Sequence, residues 1–265
     1  MAPRVQFLFA TTNDLLFQRN ASALKRAEDY FVVNQLLDDR ESSRPRESRI
    51  LSVVERGLAR SRNRALRSAT AELCYLCDDD VSLVDGAGGI VARAFDEHCD
   101  ADILIFPRLD PEMQNQASVR RGRWLPTTLR LLGVCSVEIG FRRASVLEAG
   151  VVFDERFGLG APFSTSEEAI FLVDCLRAGL RIDWAESGIV GHAVETSGAD
   201  YADGSLAVAK GAMLHRLFGA ARFFVGLAFA LKSYPLYRPH MGLFGFLAAL
   251  HEGARLLRAS DHVHG

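Results

Sequence analysis

A short apolar run that ends in three adjacent carboxylates constrains the fold of this chain more than any other feature. The run is Leu73 to Cys77, and the carboxylates that follow are Asp78, Asp79 and Asp80. Five apolar residues are too few for a helix, and the abrupt change predicts a buried strand that ends at a sheet edge. Carboxylates this close repel one another, which favours a bound divalent cation. An acidic turn that is open to water explains the pattern equally well.

Three other apolar runs also end in polar or turn residues, with helical patterns between them. They are Val5 to Ala10, which Thr11 follows, Tyr30 to Val33, which Asn34 follows, and Ile103 to Phe106. Strands that alternate with helices predict an α/β fold with a mostly parallel, Rossmann-type sheet flanked by helices. Ligands of such sheets bind beyond the carboxyl ends of the strands, so these polar residues should meet in one crevice.

The composition sets bounds on the class of protein. The chain has 265 residues, of which 49% are hydrophobic, enough for the core of one large or two small domains. Its 31 basic and 33 acidic residues give a net charge of −2, so no overall field attracts nucleic acid. The N-terminal residues lack a signal-peptide pattern, and five scattered cysteines are typical of reduced thiols. We therefore expect a cytoplasmic protein without a nucleic-acid partner.

The predicted helix from Leu58 to Thr70 carries an arginine on its apolar face. At 100° per residue, Arg60, Arg64 and Arg67 lie on the opposite side, where they can be solvated. Arg62 instead lies in the middle of the apolar face near the helix start, so it should have an anionic partner. That partner is either a ligand phosphate or a carboxylate in a structural ion pair, unless the side chain extends outward to water.

A second predicted helix, from about Glu167 to Ala178, places Glu168 on its inner face in the first turn. Glu167 is predicted to point elsewhere, toward the side of Asp174. An inward carboxylate at a helix start is a candidate general base, because partial burial raises its pKa toward the working range. The alternative is a capping box, since Ser164 with Glu167, or Thr165 with Glu168, has the required spacing, and either glutamate would then bind backbone amides.

Four motifs in order resemble one enzyme family. The sequence ERGLARSRNRAL at 55–66 and LCDDDV at 76–81 are similar to the GLxxxRNxAL and DDD core of family 2 glycosyltransferases with the GT-A fold. FDERFG at 153–158 and the pair Glu167-Glu168 resemble two later motifs of that family. The resemblance covers roughly residues 3 to 198. It implies a GT-A-like fold and transfer of a sugar from a nucleotide-diphosphate donor, with polysaccharide assembly at a bacterial inner membrane as the setting.

The resemblance also implies roles for the residues singled out above. Asp80 would bind Mn²⁺ or Mg²⁺, and His192 matches a histidine that completes the metal shell in some members, although a plain loop histidine is an equal alternative. Glu168 would deprotonate the acceptor hydroxyl, which implies inversion at the sugar carbon. The predicted donor-binding residues are Thr11, Asn34, Arg62, Asp78 and Asp79.

Two departures from the family pattern bear on the substrate. Asn34-Gln35 occupies the place where most members have an aspartate that recognises uracil, which leaves the nucleotide open, with UDP or dTDP favoured over GDP. The RxxRW spelling at 120–124 precedes Glu168, whereas the motif of processive synthases follows the base. We therefore expect a single addition to a glycan or lipid-linked acceptor.

The residues after the predicted catalytic domain (1–202) differ in character and form a predicted helical extension (203–265). Leu217 to Leu231 and Met241 to Leu250 are apolar, but neither reaches the ~20 residues that span a bilayer. Basic residues around them favour a peripheral membrane contact. A helical hairpin that closes the core, or a homodimer contact, is the alternative.

Two other functions remain open for a chain with these motifs. A nucleotidyltransferase also uses clustered acids and a metal on an α/β sheet, but it would not need Glu168. A non-catalytic nucleotide-sugar-binding or scaffold protein of the same fold would bind the donor without turnover.

Overall fold

The structure is a computed structural model that describes residues 3–37, 47–110, 125–191, 201–202 and 204–263. Its strands are β1 Val5–Thr12, β2 Tyr30–Leu36, β3 Ile50–Val54, β4 Leu73–Cys77, β5 Ser82–Leu83, β6 Ile103–Ile105, β7 Ile139–Arg142, β8 Ile182–Trp184 and β9 Val190–Gly191. Its helices are α1 Leu15–Arg19, α2 Ala21–Ala27, α3 Leu58–Ser68, α4 Ala87–Glu97, α5 Thr127–Leu131, α6 Arg143–Glu148, α7 Glu167–Arg177, α8 Ser205–Phe218, α9 Arg222–Tyr237 and α10 Leu243–Val263.

Seven strands form the central sheet in the order β3-β2-β1-β4-β7-β6-β8. β1 pairs in parallel with β2 and β4, and β2 with β3, while β7 is antiparallel to both of its neighbours. β5 and β9 form a separate two-stranded sheet. The predicted α/β fold with a mostly parallel sheet flanked by helices is therefore confirmed.

The strand bounds differ from the sequence prediction mainly at the carboxyl ends. β4 matches the predicted run, but β1 continues to Thr12 and β2 to Leu36. Thr11 and Asn34 therefore lie inside strands, where their backbones pair with each other in register, rather than after them. Successive strand residues face opposite sides of a sheet, so this difference decides which side chains can reach a ligand.

Hydrophobic cores cover both faces of the sheet. On β1, Phe7 and Phe9 pack on one side with α1, α2 and α4, whereas Leu8 packs on the other with α3 and α7. This second core also contains residues of the C-terminal helices, among them Leu206 of α8 and Phe246 of α10. The C-terminal helices are thus part of the core of the α/β sheet.

Helices α8 and α10 approach each other closely at two glycines. A Cβ atom on Gly211 would lie 2.1 Å from the carbonyl oxygen of Leu250, and one on Gly253 would lie 1.8 Å from that of Val208. Only hydrogen side chains allow this backbone separation. The pair therefore forms a tightly packed base against which α9 lies.

The helical run from Ser205 to Tyr237 is longer than the apolar stretches considered in the sequence. Its 33 residues, with a mean hydropathy of 1.4 over the most apolar window, are long and apolar enough to cross a membrane. This run joins α8 and α9 and therefore extends beyond the apolar stretch Leu217 to Leu231 that the sequence singled out. Length and composition are weak evidence here, because the core helix of a soluble protein passes the same test.

Candidate functional site

A cleft of about 480 Å³ opens at the carboxyl ends of β1 and β4. Most of the predicted site residues line it together, although they come from distant parts of the sequence: Thr11, Arg62, Asp78, Asp79, Asp80 and Glu168. Parallel strands place their carboxyl ends at one edge, which is why the separate polar clusters meet there. The predicted crevice is therefore present.

The three aspartates after β4 have different surroundings. Asp78 accepts hydrogen bonds from Arg62 (3.1 Å) and from the Ser136 hydroxyl (3.0 Å). Asp79 accepts one from the Thr11 hydroxyl (2.7 Å), and burial raises its pKa, with further contributions from the charges of Asp80 and Asp78. Asp80 is exposed at the mouth of the cleft. Asp78, at one end of the triplet, is therefore hydrogen-bonded to the protein, whereas Asp80, at the other end, faces the solvent.

The aspartate cluster has the chemistry that a divalent cation requires. Among the described residues, no three His, Cys, Asp or Glu side chains surround a single point. The carboxylates nevertheless supply the hard oxygen ligands that Mg²⁺ and Mn²⁺ prefer. Burial is the main cause of the raised pKa of Asp79, and the charges of Asp80 and Asp78 add to it, so a cation among these carboxylates would favour the ionised form. His192, the other predicted metal ligand, lies outside the described residues.

Arg62 is the central cation of the cleft. Its side chain is 4% exposed and binds Asp78 on one side and Glu167, at 2.7 Å, on the other. Its guanidinium also lies over the ring of Phe153, 5.7 Å from the centroid. Burial alone lowers its pKa, but the neighbouring carboxylates raise it by more, so Arg62 stays charged. The predicted anionic partner is therefore a pair of protein carboxylates at the cleft wall.

The prediction for Glu167 is wrong, because this side chain also faces the cleft. Its carboxylate is buried against Arg62 and does not point toward Asp174. A Cβ atom on Gly158 would lie 2.9 Å from the Glu167 carboxyl carbon, so the preceding loop also confines it. Helical periodicity could not reveal this contact, because Arg62 lies 105 residues earlier in the chain.

Glu168 faces the cleft as predicted, and the capping alternative is not observed. The residue before α7, Ser166, forms no side-chain cap, and Glu168 Oε2 is buried without a hydrogen-bond partner among the described residues. Burial raises the pKa of Glu168 to about 8, with the Glu167 charge adding to the rise and Arg62 opposing it. A carboxylate with such a pKa can accept a proton near neutral pH.

Lys210 of α8, in the C-terminal extension, contacts the residue before α7 and acts on Glu168 through its charge. Its ammonium donates a hydrogen bond to the Ser166 hydroxyl (3.1 Å), and its charge lowers the pKa of Glu168. Ser166 has a left-handed backbone (φ +80°) at the start of α7. Neither Lys210 nor Ser136 carries a sequence signal, because only tertiary packing brings Lys210 to Ser166 and Ser136 to Asp78.

Asn34 does not line the cleft, which corrects its assignment as a donor-binding residue. Its amide donates to Asp14 Oδ1 (2.7 Å) and accepts from the Asp14 backbone amide (3.0 Å), and it is fully buried. The next residue, Gln35, points the other way and lines the cleft, with its amide hydrogen-bonded to the Gly57 backbone. The alternation of side chains along β2 explains the difference.

Solved structures provide relatives of the same fold. TarS 1–349 from S. aureus in complex with UDP shares 14% identity at a TM-score of 0.54, over 89% of this chain and 73% of that chain. The mannosyltransferase PcManGT from Pyrobaculum calidifontis, in complex with GDP-Man and Mn²⁺, shares 15% identity at a TM-score of 0.53, over 99% of this chain and 76% of that chain. This chain has a GT-A-like fold. No family model and no curated protein matches its sequence.

Proposed function

We propose that the protein is an inverting, metal-dependent glycosyltransferase of family 2. It would move a sugar from a nucleotide-diphosphate donor, UDP or dTDP rather than GDP, to a hydroxyl of a glycan or lipid-linked acceptor, in a single addition in the cytoplasm. The observation that carries the proposal is the unpartnered, buried carboxylate oxygen of Glu168 in the same cleft as the aspartate cluster. The fold relatives that bind UDP and GDP-Man support it.

The proposed reaction assigns a separate task to each side of the cleft. Glu168 accepts the proton of the acceptor hydroxyl while that oxygen forms a bond to the anomeric carbon, and the bond from this carbon to the nucleotide diphosphate breaks. Attack from the face opposite the leaving group inverts the configuration. Asp80 and His192 would hold Mn²⁺ or Mg²⁺, which supplies positive charge to the departing diphosphate.

The Arg62 network supports the proposed base. Glu167 and Asp78 hold the guanidinium in place, and Arg62 opposes the rise in the pKa of Glu168. Thr11 fixes Asp79 next to the metal-binding end of the triplet. In this arrangement Arg62 also presents a positive charge to the donor side of the cleft, where phosphate oxygens would approach.

Ligand-dependent thermal stabilisation tests the proposal. We expect UDP or dTDP, or one of their sugars, to raise Tm only with Mn²⁺ or Mg²⁺, because a ligand that binds the native state raises its apparent stability. Asp80→Asn should abolish the metal-dependent part of the rise in Tm. The control Asp85→Asn, at a side chain that is 89% exposed, should keep it. Equal shifts with and without metal would overturn the metal assignment. Donor binding without turnover would favour the non-catalytic alternative.

A further inference from the structure

Helix α9 presents its largest apolar side chains to the solvent. Six of them are between 44% and 82% exposed, and five of the six form a stripe: Phe223, Phe224, Leu227, Leu231 and Tyr234. At 100° per residue these five fall within an arc of about 100° on one side of the helix, whereas the sixth, Leu236, lies on another side. A helix of a soluble protein normally turns such a stripe toward the core, so this exposed stripe marks an interaction surface.

The buried side of α9 has the opposite composition. The residues that face α8 and α10 include Gly226, Ala230 and Ser233, which are small, together with Arg222 and Tyr237 at the two ends. Small residues let the helix lie close to its neighbours, so α9 is docked firmly and keeps its large side chains outward. Rotation of α9 to bury the exposed stripe would bring phenylalanines into this close contact.

An apolar groove of about 440 Å³ continues the exposed stripe. Leu227 belongs to both, and Leu214 of α8 and Leu247 of α10 form the other walls of the groove. Gly211 of α8 also lines it, directly after Lys210, whose ammonium donates a hydrogen bond to the hydroxyl of Ser166, the residue before α7. Helix α8 therefore contacts both the groove and the start of α7.

The charged residues of the segment that contains the stripe are all basic. Residues 204–251 contain no Asp or Glu, although the whole chain has a net charge of −2. Lys232 is exposed next to Leu231 in the chain, and Arg238 is exposed directly after Tyr237 at the end of α9. Apolar side chains flanked by exposed cations match the surface of an anionic bilayer, which offers an acyl interior beneath negative headgroups.

We propose that α9 lies on an anionic lipid bilayer, with the stripe in the acyl boundary and one acyl chain in the groove. A second copy of the chain fits less well, because a two-fold interface through this face would offer no acidic residue of segment 204–251 to pair with Lys232 and Arg238. The proposal does not rest on the transferase activity, since binding of vesicles and binding of a nucleotide are measured separately.

Co-sedimentation of the full chain with lipid vesicles tests the proposal. We expect binding to vesicles of phosphatidylcholine and phosphatidylglycerol that exceeds binding to phosphatidylcholine alone and weakens with salt. Phe224→Glu and Leu231→Glu should each lower the partition coefficient by about tenfold or more, because each removes an apolar anchor and adds a negative charge.

The matched control is Leu147→Glu on α6, where the leucine is 37% exposed and far from α9 in sequence. We expect this variant to bind vesicles as the parent does, and circular dichroism should show that all three variants keep the parent's helix content. Three results would overturn the proposal: no binding to anionic vesicles, equal binding to both vesicle types, or an equal loss in Leu147→Glu. A dimer in light scattering that Leu231→Glu dissociates, without vesicle binding, would assign the stripe to a second copy.

Discussion

Helices α7 and α9 depart from the usual amphipathic pattern in opposite directions. α7 buries the carboxylate of Glu167 and one carboxylate oxygen of Glu168, whereas α9 exposes Phe223 and Phe224. The buried charge of α7 has its partner in Arg62 of α3. In the described part of the chain, the stripe of α9 faces solvent. The comparison shows how an unusual helix face indicates function: a charge kept inside indicates chemistry, and an apolar stripe kept outside indicates a partner.

The largest expected effect is on the α7 side. Glu168→Gln should lower kcat for sugar transfer by about 10²- to 10⁴-fold, because an amide cannot accept the hydroxyl proton. Binding of the donor nucleotide should change little. The loss of kcat is measured as the rate at which nucleotide diphosphate is released from the nucleotide sugar that the thermal-shift experiment selects. The control is Glu148→Gln, at an exposed side chain. Transfer at the parent rate would show that the base lies elsewhere.

Removal of Arg62 tests whether the buried charges of α7 depend on their partner. Arg62→Ala should lower the free energy of unfolding by about 3–5 kcal/mol, because Glu167 would remain buried without a cation. Denaturant unfolding measures the free energy of unfolding of each variant. The double variant Arg62→Ala with Glu167→Ala should lose less of this free energy than the two single variants lose together. Arg60→Ala, in an exposed pair with Glu155, should change stability by no more than about 1 kcal/mol. A similar loss in both arginine variants would contradict the argument.

The close contact beneath α9 gives a smaller effect on stability. Gly211→Ala should destabilise the protein by about 1–3 kcal/mol, because its Cβ would overlap the Leu250 backbone. The control, Gly245→Ala in α10, has only ordinary contacts and should stabilise the helix by up to about 1 kcal/mol. Thermal unfolding compares the two. If Gly211→Ala is neutral, α8 and α10 do not form the tight base described for α9.

A pH series gives the subtlest contrast between the two helices. The folded pKa of Glu168 is raised to about 8, so the native state holds a proton that the unfolded state releases above its ordinary value of 4.5. This residue therefore lowers stability as the pH rises from about 4.5 to 8. The Tm of Glu168→Gln should exceed that of the parent by a few degrees at pH 9 and match it at pH 5. The difference in Tm between Leu231→Glu and the parent should not change in this way with pH, because the exposed carboxylate of this variant is solvated in both the folded and the unfolded state.

The sequence located the main parts of the sheet but not its full order. Apolar runs predicted β1, β2, β4 and β6, because each run is bounded by turn residues. The antiparallel position of β7 between β4 and β6 was not predicted, because four residues carry no signal for their strand neighbours. Ser136, which precedes β7, therefore could not be found as a partner of Asp78.

The site was predictable where a residue type conflicts with its local pattern. Arg62 on an apolar helix face and the three aspartates after an apolar strand are conflicts of this kind, and both lie in the cleft. Asn34 and Gln35 present no such conflict, so their assignment depended on strand register. A one-residue change in register turns every side chain to the opposite face.

The sequence by itself determined the α/β class, the strand that ends in carboxylates and the inward position of Glu168, because these follow from the spacing of neighbouring residues. The tertiary structure alone decided that Glu167 binds Arg62, that Lys210 reaches the start of α7, and that α9 turns its aromatic side outward. Each of these depends on a contact between residues far apart in the chain. Periodicity describes one element at a time, whereas burial and charge pairing are set by the element that packs against it.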